Sequence, residues 1–259
     1  MNTYILSITA ALMITGHFGI EDAQAKLHDR GGGLIYDDVL NITWLQNSFY
    51  SWDHDGIGVM SLQDAKSWAA NLAYYDSVRN VTWNDWRLPK LAPVGSEMNY
   101  IWSNNGSTDN GFNNSGTNTE LGYMYYINFG NVGFCKPNGY GLSSSCELDL
   151  GFGLKDGPAP DDESLFHIPK DISLTYWIDS TYNPDPVYGW SFDMIVGSQG
   201  VGIIEKPMSN TILTPPADLY AWAVRDGDVA AVPEPTDTLL MLVGLAAVGL
   251  RLRKRLAHA

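Results

Sequence analysis

Apolar and polar positions alternate in short blocks along most of the chain, which predicts brief strands separated by tight turns. Leu34-Ile35-Tyr36 reads as a strand, Asp37-Asp38 as a turn, and Asn41 to Leu45 as the returning strand of a hairpin. Leu62, Ala65, Trp68, Ala69 and Leu72 then fall at helical spacing. Ser61 stands at the N-cap of that helix with Asp64 at the third position, a relative of the capping box. Trp86-Arg87-Leu88-Pro89 reads as extended, because a proline disfavours helical backbone in the residue before it. A second helix is expected over Ser96 to Trp102. Residues 103–122, mostly Asn, Gly, Ser and Thr, read as a long surface loop, and the acidic Lys155 to Glu163 segment as another. Strands are expected again over Ser173–Asp179, Gly189–Val196, Val201–Glu205 and Tyr220–Arg225. No internal repeat stands out, and the predicted class is α+β.

The two ends carry a different pattern. Tyr4 to Ile14 is a short apolar stretch, and Ala23-Gln24-Ala25 offers a small-residue cleavage site ahead of Lys26, so residues 1–25 read as a signal peptide. Its start lacks Lys and Arg, and Glu21 and Asp22 lie close to the cut. At the other end Val232-Pro233-Glu234-Pro235 precedes an apolar run from Leu239 to Leu250 and a basic cluster of Arg251, Arg253, Lys254 and Arg255. As a helix the run spans about 18 Å, short of the roughly 30 Å hydrocarbon core. Thr238, Leu252 and snorkelling arginines extend it to a weak membrane-spanning helix. The basic cluster belongs in the cytoplasm, which leaves the preceding domain outside.

Proline, apolar run and basic terminus, in that order, resemble the PEP-CTERM sorting signal of Gram-negative bacteria that make exopolysaccharide. The resemblance covers residues 232–259 and implies a membrane-anchored precursor. An exosortase-type enzyme would process it before the protein reaches the cell surface or the extracellular space. It addresses destination, not activity.

Between the two signals, residues 26–231 are long enough for one domain with a sizeable core. Four of the 29 acidic residues and four of the 15 basic ones fall in the terminal signals. The exported part keeps 25 acids against 11 bases, a net charge of −14, which repels nucleic acid and sulfated polymers. Cys135 and Cys146 form an even pair in an exported protein, so a disulfide closing a local loop is expected. Loop closure of that length is worth on the order of 2–3 kcal/mol. A redox or metal pair is rejected for want of a Cys-x-x-Cys spacing or a nearby His.

A second resemblance covers most of the exported part. Asp29 to Asp37, Thr43-Trp44-Leu45, the helix around Ala65-Trp68-Ala69 and Asp85-Trp86-Arg87-Leu88-Pro89 occur in the order seen in the Lcl C-terminal domain family. Tyr176-Trp177 and Tyr220 to Arg225 resemble its closing strands. The resemblance implies a fold related to C-type-lectin-like and formylglycine-generating-enzyme domains: a hairpin and two helices packed on short antiparallel strands, with long loops. Copper-dependent oxidation is not carried over, because Cys135 and Cys146 do not match the cysteine motif of those enzymes.

Candidate chemistry in the residues themselves is sparse. Asp53-His54-Asp55-Gly56-Ile57-Gly58 alternates carboxylates before a glycine, as an oxygen-ligand loop for Ca²⁺ does. Ile57 stands where a third donor belongs and Asp64 where a Glu should close the loop, so a solvated Asp/Gly turn is the competing reading. Beyond that Ca²⁺ option no cofactor is expected. Arg87 either binds a ligand carboxylate or packs structurally beside Trp86. Nine Trp and fourteen Tyr supply either a sugar-stacking surface or a core. His28, His54, His167 and His258 are scattered, and the Gly-x-Ser-x-Gly, His-Glu-x-x-His and phosphate-loop motifs are missing. The sequence is therefore read as a non-catalytic module that binds neutral glycan or exopolysaccharide matrix. A structural matrix protein without a ligand site and an unrecognised hydrolase or oxidase stand as alternatives.

Overall fold

The computed structural model describes residues 27–137, 145–154, 165–169, 174–185, 188–203 and 219–229. The segments read as signal peptide (1–25) and sorting tail (232–259) and the whole expected Lys155–Glu163 loop lie outside the described residues. Among the described residues the fold is mixed α+β, with sheets predominating over a few short helices.

Strands β1 (Leu27–Asp29), β2 (Leu34–Asp37) and β3 (Ile42–Leu45) run antiparallel at one side of a five-stranded sheet. The predicted first hairpin is β2–β3, with Ile35 opposite Trp44. Its edge is completed by strands from far along the chain: β12 (Val224–Asp226) pairs with β3 and with β6 (Trp86–Arg87). Between them, β4 (Tyr74–Asp76) and β5 (Val81–Trp83) form a separate two-stranded hairpin. A second five-stranded sheet has the order β7 (Trp102–Ser103), β8 (Asn110–Phe112), β11 (Ser198–Ile203), β10 (Tyr188–Asp193), β9 (Thr175–Thr181). Three of the expected later strands thus overlap β9, β10 and β11 with shifted ends, whereas of Tyr220–Arg225 only Val224 and Arg225 join β12.

Such short strands offer few inward positions each, so the core relies on large rings. Trp44, Trp177, Trp190, Trp222, Tyr176 and Phe192 are fully buried, and Trp44 and Trp222 meet at 4.8 Å. Helix α1 (Tyr50–Asp53) is a single turn, and α2 (Leu62–Asn71) is the predicted helix. Ser61 caps α2 as expected, its hydroxyl accepting from Asp64 N at 3.1 Å, while Leu62, Ala65 and Ala69 face inward.

Three expectations need correction. No helix forms over Ser96 to Trp102. Residues there wrap the buried carboxylate of Asp109, whose two oxygens accept the backbone N–H groups of Val94 and Asn99 at 2.7 Å each. A side chain supplies what a helical carbonyl would have supplied. The second helix is instead α3 (Glu120–Tyr123), which runs into a π-helical turn over Met124–Asn128.

The polar 103–122 stretch is not a surface loop. Ser103, Asn104, Thr108, Asp109, Asn114 and Thr119 are buried beside the second sheet. Gln199 ties them together, donating to Asp109 O at 2.6 Å and accepting from the Thr119 hydroxyl at 2.6 Å. At Gly111 the φ angle is +125°, and a Cβ there would collide with the Ser103 backbone, so β7 and β8 approach this closely only with glycine.

The third correction concerns repetition. Tyr36-Asp-Asp-Val-Leu-Asn-Ile-Thr-Trp44 recurs as Tyr75-Asp-Ser-Val-Arg-Asn-Val-Thr-Trp83, with six of nine positions identical. Both copies fold alike. Asp37 Oδ1 accepts from Val39 N and Leu40 N at 3.0 and 2.9 Å, and Asp76 Oδ1 from Val78 N and Arg79 N at 3.0 and 3.2 Å. Asn41 and Asn80 take left-handed backbone at φ +52° and +53°. Each Asn accepts its motif's Tyr hydroxyl, at 2.9 and 2.8 Å.

Candidate functional site

The chain after α1 doubles back on itself. Gly56 adopts φ +67°, Ile57 N donates to Ser51 O at 2.8 Å, and the Trp52 ring lies against Gly58 where any side chain would collide. Met60 and Leu219 exchange backbone hydrogen bonds of 2.9 and 3.2 Å, which pins the end of this loop just before the α2 cap. An open groove of about 840 Å³ remains between the 54–60 loop and α2.

Side chains in the groove are held in place by local bonds. Trp68 projects from α2 and donates its indole N–H to Asp55 Oδ2 at 2.8 Å, joining helix to loop. Asp55 Oδ1 meets His54 Nδ1 at 2.8 Å, and the His54 ring stacks on Tyr50 with centroids 4.6 Å apart and planes 13° apart. Asp64 Oδ2 accepts from the Ser61 hydroxyl at 2.8 Å, while no donor among the described residues reaches its Oδ1. Ser67 and Asn71 add polar groups about one and two turns along the helix from Asp64. Ile57 and Val59, both exposed, form an apolar rim.

The carboxylates proposed for Ca²⁺ have separate partners. Asp53 Oδ2 accepts from Asn47 Nδ2 at 2.9 Å and lies 3.9 Å from His167 Nε2, whereas Asp55 faces Trp68 and His54. Asp64, the candidate closing ligand, serves the helix cap. Among the described residues no three His, Cys, Asp or Glu side chains gather as a cation cage. Cys135 and Cys146 are joined as a disulfide, and the flanking Lys136 N donates to Glu147 O at 2.9 Å.

Arg87 belongs to the framework. It forms a two-bonded pair with Glu120 at 2.8 and 2.8 Å and also binds Asp226, so it ties β6 to β12 and α3. The neighbouring Asp85 pairs in turn with Arg225 at 2.9 and 2.8 Å, and Arg225 covers the Trp83 ring at 4.2 Å. The Asp-Trp-Arg segment therefore locks the C-terminal strand reciprocally, acid to base and base to acid. These contacts hold Asp85 and Asp226 below the usual carboxylate range, through Arg225 and Arg87 respectively.

Five of the nine Trp residues are buried, three are half-buried and only Trp52 is exposed, at 55%. Most of the aromatic content is thus core, and the groove around Trp68 is where an indole combines access with polar neighbours. Sequence reasoning assigned Trp68 to the helix stripe and Asp55 to a turn. Their meeting depends on the Ile57–Ser51 hydrogen bond, which no spacing announces.

No helix among the described residues is long and apolar enough to cross a membrane; Pro233, Glu234 and Pro235, read from the sequence as a sorting motif, and the Arg251–Arg255 cluster lie outside them. Comparison with protein-family models, curated proteins and solved structures finds no match to the chain.

Proposed function

We propose that the chain is an exported, non-catalytic module of the cell surface or extracellular matrix that binds glycan in the groove between the 54–60 loop and α2. The observation that carries this reading is the Trp68 indole, fixed by Asp55 in an open groove with Asp64, Ser67 and Asn71 beside it. A flat apolar ring with hydrogen-bonding groups at its edge suits a sugar, whose faces are C–H and whose rim is hydroxyl. The hairpin, two principal helices and short, mostly antiparallel strands support a C-type-lectin-like relationship of the Lcl type. Export by residues 1–25 and exosortase-type handling of residues 232–259 complete the proposal; mass spectrometry of the surface form should find the region after Pro235 removed, and an intact Arg251–Ala259 terminus would refute that step.

A glycan array probed with the protein tests the binding reading. Groove-dependent binding is expected, with Trp68→Ala weakening it by about tenfold or more. Heparin-like polymers should not be retained near physiological salt, because 11 basic residues face 25 acidic ones in the exported part. Binding that ignores Trp68 would remove the site, and binding to nothing would favour the second reading, a structural matrix protein. That second reading has its own support in the five buried tryptophans.

A further inference from the structure

The groove has a charge of one sign. Asp55 contributes from the loop wall and Asp64 from the helix wall, and no Lys or Arg among the described residues lines it. Asp55 is bonded to a neutral indole and to His54, and Asp64 Oδ1 is left open. Trp68 and Tyr50 line the same groove and supply its aromatic surface. A sugar hydroxyl can donate to such a carboxylate, but an ammonium adds a full opposite charge to the hydrogen bond and also gains from the faces of aromatic rings. Anionic sugars meet repulsion at both walls. The net charge of −14 on the exported part adds a long-range field that concentrates cations at its surface.

Resting on the glycan-binding reading above, we infer that the groove selects glycans bearing free amines: polymers of 2-amino sugars that are at least partly unacetylated. The ring of the sugar packs on Trp68 and the protonated amine sits against Asp64 and Asp55. Both Asp55 oxygens already have partners in Trp68 and His54, which leaves Asp64 as the principal anchor. An N-acetyl group removes the charge and adds bulk where the carboxylates stand.

Calorimetry with three β-1,4-linked hexasaccharides of one backbone tests this: the glucosamine hexamer, the N-acetylglucosamine hexamer and the glucose hexamer. The amine form should bind about tenfold tighter than the other two, and more weakly as salt is added. Asp55→Asn with Asp64→Asn should reduce that preference to within about twofold. Each Asn keeps an oxygen for the Trp68 or Ser61 bond, and Asp64→Asn alone, expected to cost at least about threefold, serves if the double variant fails to fold. Glu97→Gln with Glu147→Gln removes the same charge elsewhere and should leave the preference intact. Equal or tighter binding of the glucose or acetylated hexamer, lost in Trp68→Ala, would overturn amine selection and leave the glycan reading standing. No binding by any hexamer would overturn the inference and count against the reading beneath it. A preference that survives the groove variants, or that vanishes with the remote pair, would assign the effect to net charge and overturn the inference as well.

Discussion

The hairpins Tyr36–Trp44 and Tyr75–Trp83 share a turn, a sequence and almost nothing of their surroundings. The first is flanked by β1 and β12, and its Ile42, Thr43 and Trp44 are exposed by no more than 2%. The second is a two-stranded unit in which Val81 is 38% and Tyr75 59% exposed. Identical Asp and Asn positions fix the turn in both, since those bonds close within four or five residues. Burial is decided elsewhere, by whether another strand comes alongside.

One difference inside the motif is chemical. Leu40 in the first copy corresponds to Arg79 in the second. Burial pushes the Asp37 carboxyl up, and no cation offsets it; its partners are backbone N–H groups and Asn128, whose amide donates at 2.7 Å. Burial also works against the charge on Asp76, but Arg79 at 2.7 Å and the Trp83 indole outweigh it, holding that carboxyl below its usual range. The same residue in the same turn thus moves in opposite directions, up by burial at Asp37 and down at Asp76, where Arg79 stands at i+3.

The widest separation between the copies should appear at the closing tryptophan. Trp44→Ala empties a fully buried site against Trp222 and should cost about 4 kcal/mol. Trp83→Ala removes a half-buried ring that Arg225 covers and should cost about 1–2 kcal/mol. Equilibrium urea unfolding measures both, and equal losses would mean that the second hairpin is packed as tightly as the first.

The turn itself should behave alike in both copies. Asn41→Ala and Asn80→Ala each force a Cβ-bearing residue without a local acceptor into left-handed backbone, at about 1–2 kcal/mol. Replacement by Gly should recover most of that loss, leaving about 0.5 kcal/mol for the missing Tyr hydroxyl bond. A cost confined to the buried copy would show that the shared geometry is imposed by packing.

Acid titration separates the two aspartates. Asp76, depressed in the folded state, contributes stability that is present above the ordinary carboxylate value near pH 4 and is lost as the pH falls through its lower folded value. Asp37, raised in the folded state, costs stability while ionised, and that cost is relieved as the pH falls through its folded value. Arg79→Leu makes the second turn like the first. The variant should be less stable at neutral pH, and its unfolding midpoint should fall less steeply on acidification than that of the parent. An unchanged slope would detach Asp76 from Arg79.

What the sequence disclosed follows the same division between local and distant causes. The β2–β3 turn and the Ser61 cap of α2 were legible because their donors and acceptors lie within a few residues. The 103–122 stretch was not, because Asn, Ser and Thr read as solvated until partners are known. Asp109 finds its own partners 10 and 15 residues back, and Gln199 comes from 80 residues beyond Thr119. The repeat is faint because it spans only nine residues, six of them identical, and its hydrophobic positions are buried in one copy and largely exposed in the other. The groove is built from contacts of intermediate range, such as Trp68 to Asp55 at a separation of 13, too long for a turn motif and invisible to periodicity.

The smallest difference should come at the first position of the motif. Tyr36 stacks with His28 at 6.1 Å and lies beneath the Arg30 guanidinium at 5.1 Å, both contributed by β1 and the residue after it. Tyr36→Ala gives up those contacts and the Asn41 bond, about 1–2 kcal/mol in all. Among the described residues Tyr75 keeps the equivalent hydroxyl bond, to Asn80, at an exposed site, so Tyr75→Ala should cost about 0.5 kcal/mol or less. The two substitutions remove the same atoms from the same turn, and the difference between them isolates what the flanking strand adds. A Tyr75→Ala loss as large as that of Tyr36→Ala would assign the stability to the turn itself, and the contrast between a supported and an unsupported hairpin would fail.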